Sequence, residues 1–313
     1  MAEMKSVLIV GDDRFANQLF DTVARGFPTD AVGLTAPEDP QLPERLGQAD
    51  WVIEIAGQHI ERKQAVLRAC AEFAPGLVSS DSSVATRHEL LRDLPAAFGK
   101  RYAISHFFFP LSHCPLVEVV VGSASDQPLV AGLRDMLLDS LGGRLGRSVM
   151  ELPDTPGFVA NRLGLFLIAS AINRSSAQAI DPNAIDRAAA RSLGLPRPAL
   201  FGTADLIGHP VLIDLLIGLS ERLPTADALQ SAAPAAIARL KDIEATGNAR
   251  FIDRQLGREA ETAAVDDQHV ADLVAALASD RDRYVERMCS ECQISPEIAA
   301  LAMRRGYGWT AEW

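Results

Sequence analysis

Short apolar runs alternate with amphipathic stretches through the first half of this chain, and the alternation then stops. SVLIVG at Ser6–Gly11 is a brief apolar run ending in glycine, the form of a parallel strand buried on both faces. RFANQLFDTVARGF follows with apolar residues at helical spacing and ends at Gly26. AVGLTA reads as a second strand, PEDPQLPE as a loop, LPERLGQA as a short helix and DWVIEIAG as another strand. IERKQAVLRACAEFA is an amphipathic helix, GLVSSDSS a strand and loop, and RYAISHFFF and LVEVVVG two more strands. A chain that alternates in this way folds as a doubly wound α/β sheet. From about Asn161 onward it is Ala- and Leu-rich, helically periodic and poor in strand signals.

The expected architecture is therefore a Rossmann-like domain over 1–153 followed by an all-α domain over 154–313, with the change of character near Leu152 to Pro156. The length of 313 residues suits two domains, and an apolar content of 48% is ample for their cores. The net charge of −11 disfavours nucleic acid or an anionic membrane as a general partner. MAEMKSVLIVGDD enters a strand directly and lacks a cleavable signal pattern. No apolar run reaches the ~18 residues that span a bilayer, so a cytoplasmic protein is expected. Cys289 and Cys292 form a C-x-x-C without a second pair or a nearby histidine, and no metal site is expected.

ISHFFFPLSHCPLVEVVVG carries the chemistry. It sets His106 twelve residues before Glu118, which interrupts an apolar strand. Histidine exchanges protons near neutral pH, its unperturbed pKa being ~6.5. A carboxylate on one ring nitrogen fixes the tautomer and stabilises the imidazolium. A glutamate in a buried strand is costly unless paired. From the residues alone, two readings stand: a proton-exchanging pair, or a satisfied core histidine beside an unrelated strand-end glutamate. His113 reads as a loop residue.

Five segments resemble the 3-hydroxyacyl-CoA dehydrogenase family in order and spacing, from residue 6 to about 215. HFFFPLSHCPLVEVVVG is similar to its H-F-F-N-P, seven residues, then E; DTPGFVANR to its D-T-P-G-F-x-x-N-R; ADWVIEIAGQHIERKQAVL to its A-D-x-V-I-E-A-x-x-E-x-x-x-x-K; SSDSS to its S-N-T-S; and IDRAAARSLGLPRPALFGTADLIG to a segment of its helical domain. The resemblance implies an NAD-dependent oxidoreductase moving hydride between carbon 3 of a 3-hydroxyacyl-CoA and NAD. It places His106 as base, Glu118 as its orienting carboxylate, and Ser83 and Asn161 on the substrate oxygens. An acyl-CoA substrate and a homodimer are implied with it. Two departures stand beside the match: Phe109 replaces the asparagine of H-F-F-N-P, and Asp81 that of S-N-T-S.

The dinucleotide fingerprint G-x-G-x-x-G is eroded. The turn reads Gly11-Asp12-Asp13-Arg14-Phe15-Ala16, with Gly11 and Ala16 acceptable at the first and third positions and Asp13 in place of the second glycine. Unit charges 4 Å apart repel by ~4 kcal/mol at an effective dielectric of 20. Attraction to a helix terminus is worth only ~0.3–1 kcal/mol, so the diphosphate is disfavoured unless Arg14 neutralises the turn. The second strand offers Thr35 where an acidic residue would hold the ribose, with Glu38 and Asp39 a few residues late. By resemblance Gln58 stands at a cofactor-side glutamate position and Lys63 keeps the family lysine. NAD is therefore the implied cofactor, bound weakly or lost. The alternative function is a non-redox paralogue that binds acyl-CoA or a partner protein without turnover.

Overall fold

The computed structural model describes residues 5–28, 30–139, 148–195, 198–247, 250–252 and 268–310. The chain divides into two compact units, 1–158 and 159–313. The first is built on a seven-stranded sheet: β1 (Val7–Val10), β2 (Val32–Thr35), β3 (Trp51–Glu54), β4 (Leu77–Ser80), β5 (Tyr102–Phe107), β6 (Leu116–Val120) and β7 (Ser148–Glu151). Their spatial order is β2-β1-β3-β4-β5-β6-β7. All neighbouring pairs are parallel except β5 and β6. Strands β1 and β3 to β6 are buried at every position, as expected of strands covered on both faces. The strand order reverses at β1, so the loops after β1 and β3 flank the crevice where doubly wound folds take ligands.

Helices α1 (Arg14–Val23), α2 (Leu42–Gly47) and α3 (Ile60–Phe73) connect the first strands. α1 buries Ala16, Leu19 and Val23 against Val7, Ile9, Trp51 and Ile53 in one cluster. A side chain at Gly11 would bring a Cβ within 2.5 Å of the Ile55 carbonyl and 2.8 Å of Ala16. The first glycine of the turn is therefore required by packing alone. The helix Gln127–Asp139 and strand β7 lie outside the segments that hydrophobic periodicity marks.

The second unit is built of helices and holds no strand among its described residues. Its centre is the helix Ala160–Gln178, most of whose residues are buried. Around it stand Pro182–Ser192, Phe201–Ile207, His209–Arg222, Ala228–Ala245, Gln268–Cys292 and Pro296–Gly306. Arg162 ties three of these segments together, donating to Asp227, Glu291 and the Tyr284 hydroxyl. Asp186 accepts from the amides of Leu200, Phe201 and Gly202 and so caps the Phe201–Ile207 helix. Among the described residues, no single helix is long and apolar enough to cross a membrane.

Candidate active site

Antiparallel pairing of β5 with β6 sets His106 directly opposite Glu118. Directly opposed residues have Cβ atoms about 4.5–5.5 Å apart, close enough for a histidine and a glutamate to meet. His106 Nδ1 lies 2.8 Å from Glu118 Oε2. The two residues are 2% and 0% exposed. Phe108 and Phe158 wall the imidazole, with ring centroids 4.5 and 5.6 Å away. In the tautomer that carries its proton on Nδ1, His106 donates that hydrogen bond to Glu118 Oε2.

The loop after β4 runs beside this pair. Asp81 Oδ1 accepts from the Phe107 amide at 2.9 Å. Burial pushes the Asp81 carboxyl above its ordinary range; the nearby His106 charge and the Phe107 hydrogen bond oppose that rise. Ser83 Oγ receives a hydrogen bond from Gln58 Nε2 at 3.4 Å, bringing two of the sequence candidates together.

Lys63 is turned inward. It is 1% exposed, its Nζ 3.1 and 3.2 Å from the Glu54 carboxylate and 2.7 Å from the Asp81 carbonyl. Glu54 also accepts from the Ala56 amide at 2.6 Å. Lys63 thus anchors the loop carrying Asp81 and Ser83, as a positioning residue. Glu54 was not among the sequence candidates. Its signal was the one used for Glu118: a carboxylate in an apolar strand needs a partner.

At the turn after β1, Asp13 caps α1, and its Oδ1 accepts from the amides of Phe15 and Ala16 at 2.9 Å each. Aspartate is a favoured N-cap because it satisfies amides that have no partner inside the helix. Arg14 places its guanidinium 4.6 Å from the Phe15 ring centroid. Phe15 in turn packs against Phe109, centroids 4.7 Å apart. One helical turn on, Gln18 Oε1 accepts from the Leu111 amide at 3.3 Å. The loop that follows His106 is therefore fastened to α1.

Arg62, near the start of α3, was also missed. Its guanidinium meets Asp12 at 2.7 Å and Glu38 at 2.9 Å. Hydrogen bonds from Arg62 hold both carboxyls below their ordinary range, and the two acids in turn raise the guanidinium pKa. Thr35 donates to Asp39 at 2.6 Å, so the end of β2 is satisfied internally.

In the second unit, Asn161 sits in the first turn of its helix. Its Oδ1 accepts from the Tyr307 hydroxyl at 3.0 Å. A Cβ at Gly164 would come within 2.4 Å of the Tyr307 ring, so this glycine permits the close approach. Among the described residues, no group of three or more His, Cys, Asp or Glu could hold a metal ion.

Comparison with known proteins gives two family matches. The family described as "3-hydroxyacyl-CoA dehydrogenase, NAD binding domain" matches residues 38–145, and "3-hydroxyacyl-CoA dehydrogenase, C-terminal domain" matches residues 157–253. The first match begins beyond the Gly11–Ala16 turn. Among curated relatives, the "Probable 3-hydroxyacyl-CoA dehydrogenase" of Deinococcus radiodurans is 28% identical over 54% of this chain and 48% of its own length. The "3-hydroxyadipyl-CoA dehydrogenase" of Escherichia coli is 32% identical over 53% of this chain and 34% of its own. The chain thus spans half or less of these relatives. A crystal structure of 3-hydroxybutyryl-CoA dehydrogenase from Escherichia coli shares the fold, with a TM-score of 0.73 and 16% identity over 99% of this chain and 90% of that one.

Proposed function

The chain belongs to the 3-hydroxyacyl-CoA dehydrogenase family, and from that premise we propose that it acts at the carbon 3 oxygen of a 3-hydroxyacyl- or 3-oxoacyl-CoA, with His106 as the group that exchanges the proton. The observation that supports this most is the buried His106–Glu118 pair at 2.8 Å, set by strand register. Were a nicotinamide bound to take the hydride from carbon 3, His106 Nε2 would take the hydroxyl proton as the oxygen becomes a carbonyl, and return it in the reverse direction. Glu118 keeps the ring in the required tautomer and offsets the imidazolium charge. Ser83, held by Gln58, is assigned to the substrate oxygen, the task that the family resemblance also gives Asn161.

In this family NAD supplies the hydride acceptor. The residues at the β1 turn do not fit a diphosphate, because the Phe15 and Ala16 amides already bind the Asp13 carboxylate. That observation favours a second reading, in which acyl-CoA is bound without redox turnover.

Calorimetric titration of acetoacetyl-CoA tests the proposal. The wild type is expected to saturate, His106→Ala to bind at least tenfold more weakly, and His113→Ala to match the wild type. Absence of saturable binding by the folded wild type contradicts the proposal.

A further inference from the structure

The crevice at the strand-order reversal is where a dinucleotide lies in doubly wound folds, its diphosphate on the amides at the start of the first helix. In this chain each part of that crevice holds a side chain of the protein. Asp13 Oδ1 occupies the Phe15 and Ala16 amides, both at 2.9 Å. Arg62 reaches from α3 across the loops after β1 and β2, bonding Asp12 through two nitrogens at 3.1 and 2.7 Å and Glu38 through two at 2.9 Å. Phe109, three residues beyond His106, lies against Phe15 in the first turn of α1. Hydride exchange at a carbon whose oxygen faces His106 needs the nicotinamide beside the His106 loop. The Phe15–Phe109 contact spans that loop and the helix on which the diphosphate would rest.

We propose that the dinucleotide crevice of this chain is closed from within, Asp13 standing in for the diphosphate, the Arg62 clasp covering the ribose end and the Phe15–Phe109 pair the nicotinamide end. The internal carboxylate has an advantage that an external anion lacks. It is already in place, so it loses no translational or rotational freedom on binding, whereas a dinucleotide does. A dinucleotide must also leave the displaced Asp13 charge beside its own diphosphate, which adds repulsion to the lost cap. The three devices come from segments far apart in sequence, which explains why the turn sequence alone shows only the first. The proposal deepens the acyl-CoA reading above: the proton-exchanging pair is kept while the cofactor side is shut.

The test uses the full chain and a variant carrying Asp12→Ala, Asp13→Gly and Phe109→Asn. Asp12→Ala removes one of the two carboxylates that hold Arg62, the one nearest the β1 turn. Asp13→Gly clears the amides and leaves a residue that is well tolerated at a helix N-cap. Phe109→Asn removes half of the aromatic contact. NADH is titrated calorimetrically and by thermal shift, and acetoacetyl-CoA is titrated alongside. The expected result is no saturation of the wild type by NADH up to about 1 mM, with at least tenfold tighter binding and a raised Tm in the opened variant. Micromolar NADH binding by the wild type overturns the proposal. So does an opened variant that is folded by circular dichroism yet binds NADH no better. Failure of the acyl-CoA reading is separately visible as a wild type that does not bind acetoacetyl-CoA.

Discussion

Glu118 stands opposite His106 across an antiparallel strand pair, and its carboxylate holds the imidazole Nδ1 at 2.8 Å with both residues sealed from solvent. Register, not loop conformation, sets this distance. A one-residue slip of β6 would turn Glu118 to the other face of the sheet. The pair is thereby tied to the hydrophobic pattern of the strands that carry it.

Glu118→Gln keeps an oxygen able to accept from Nδ1 but removes the charge that balances the imidazolium. In the opened variant, NADH-dependent reduction of acetoacetyl-CoA is expected to fall ~10²–10⁴-fold in kcat. KM should change little, and steady-state kinetics checks both. An unchanged kcat would reduce Glu118 to a structural role.

Lys63 and Glu54 form a buried ion pair, 1% and 0% exposed. Lys63→Met leaves the Glu54 carboxylate without its cation in a dry interior. The expected loss is ~3–5 kcal/mol of unfolding free energy by denaturant titration. Adding Glu54→Gln to the same chain should recover part of it, because the stranded charge is gone. A Lys63→Met protein as stable as the wild type would contradict the inward placement of the lysine.

Asp81 gives a pH signature. Its folded-state pKa lies above the unfolded value because of burial. The folded chain therefore holds that proton more tightly than the unfolded chain. The associated stabilisation is present at pH values below the unfolded pKa and is lost as pH rises through the folded one. Asp81→Asn keeps an acceptor for the Phe107 amide and removes the buried charge. It is expected to raise Tm at pH 7, with the gain shrinking toward pH 4. A gain that grows on acidification would reverse the sign and contradict the assignment.

Much of this fold is legible in the sequence because its strands are short, apolar and buried on both faces, and because its helices change the period. The substrate-side pair is legible for a related reason. A histidine and a glutamate twelve residues apart, each in an apolar strand, need one another when the strands form a hairpin. The cofactor side is legible only in part. Asp13 reads as a repulsive charge at the turn; that it is also a bound cap depends on its extended backbone at the helix start. Arg62 lies fifty residues from Asp12 and twenty-four from Glu38, and no local pattern announces either bond. Phe109 reads only as the replacement of an asparagine beside His106; that it packs on Phe15 of α1 is set by the fold. Lys63 carries the family's position but nothing local to it names a partner. Its actual partner, Glu54, is hidden among the apolar residues of β3.

The most direct measurement is turnover of acetoacetyl-CoA with NADH by four proteins: the wild type, the opened Asp12→Ala/Asp13→Gly/Phe109→Asn variant, and that variant with either His106→Ala or His113→Ala added. The expected result is near-zero turnover in the wild type, clear turnover in the opened variant, and its loss on removing His106 but not on removing His113 by His113→Ala. Equal turnover with and without His106, or an opened variant that binds both ligands and still shows none, would contradict His106 as the proton-exchanging residue of an otherwise intact dehydrogenase site.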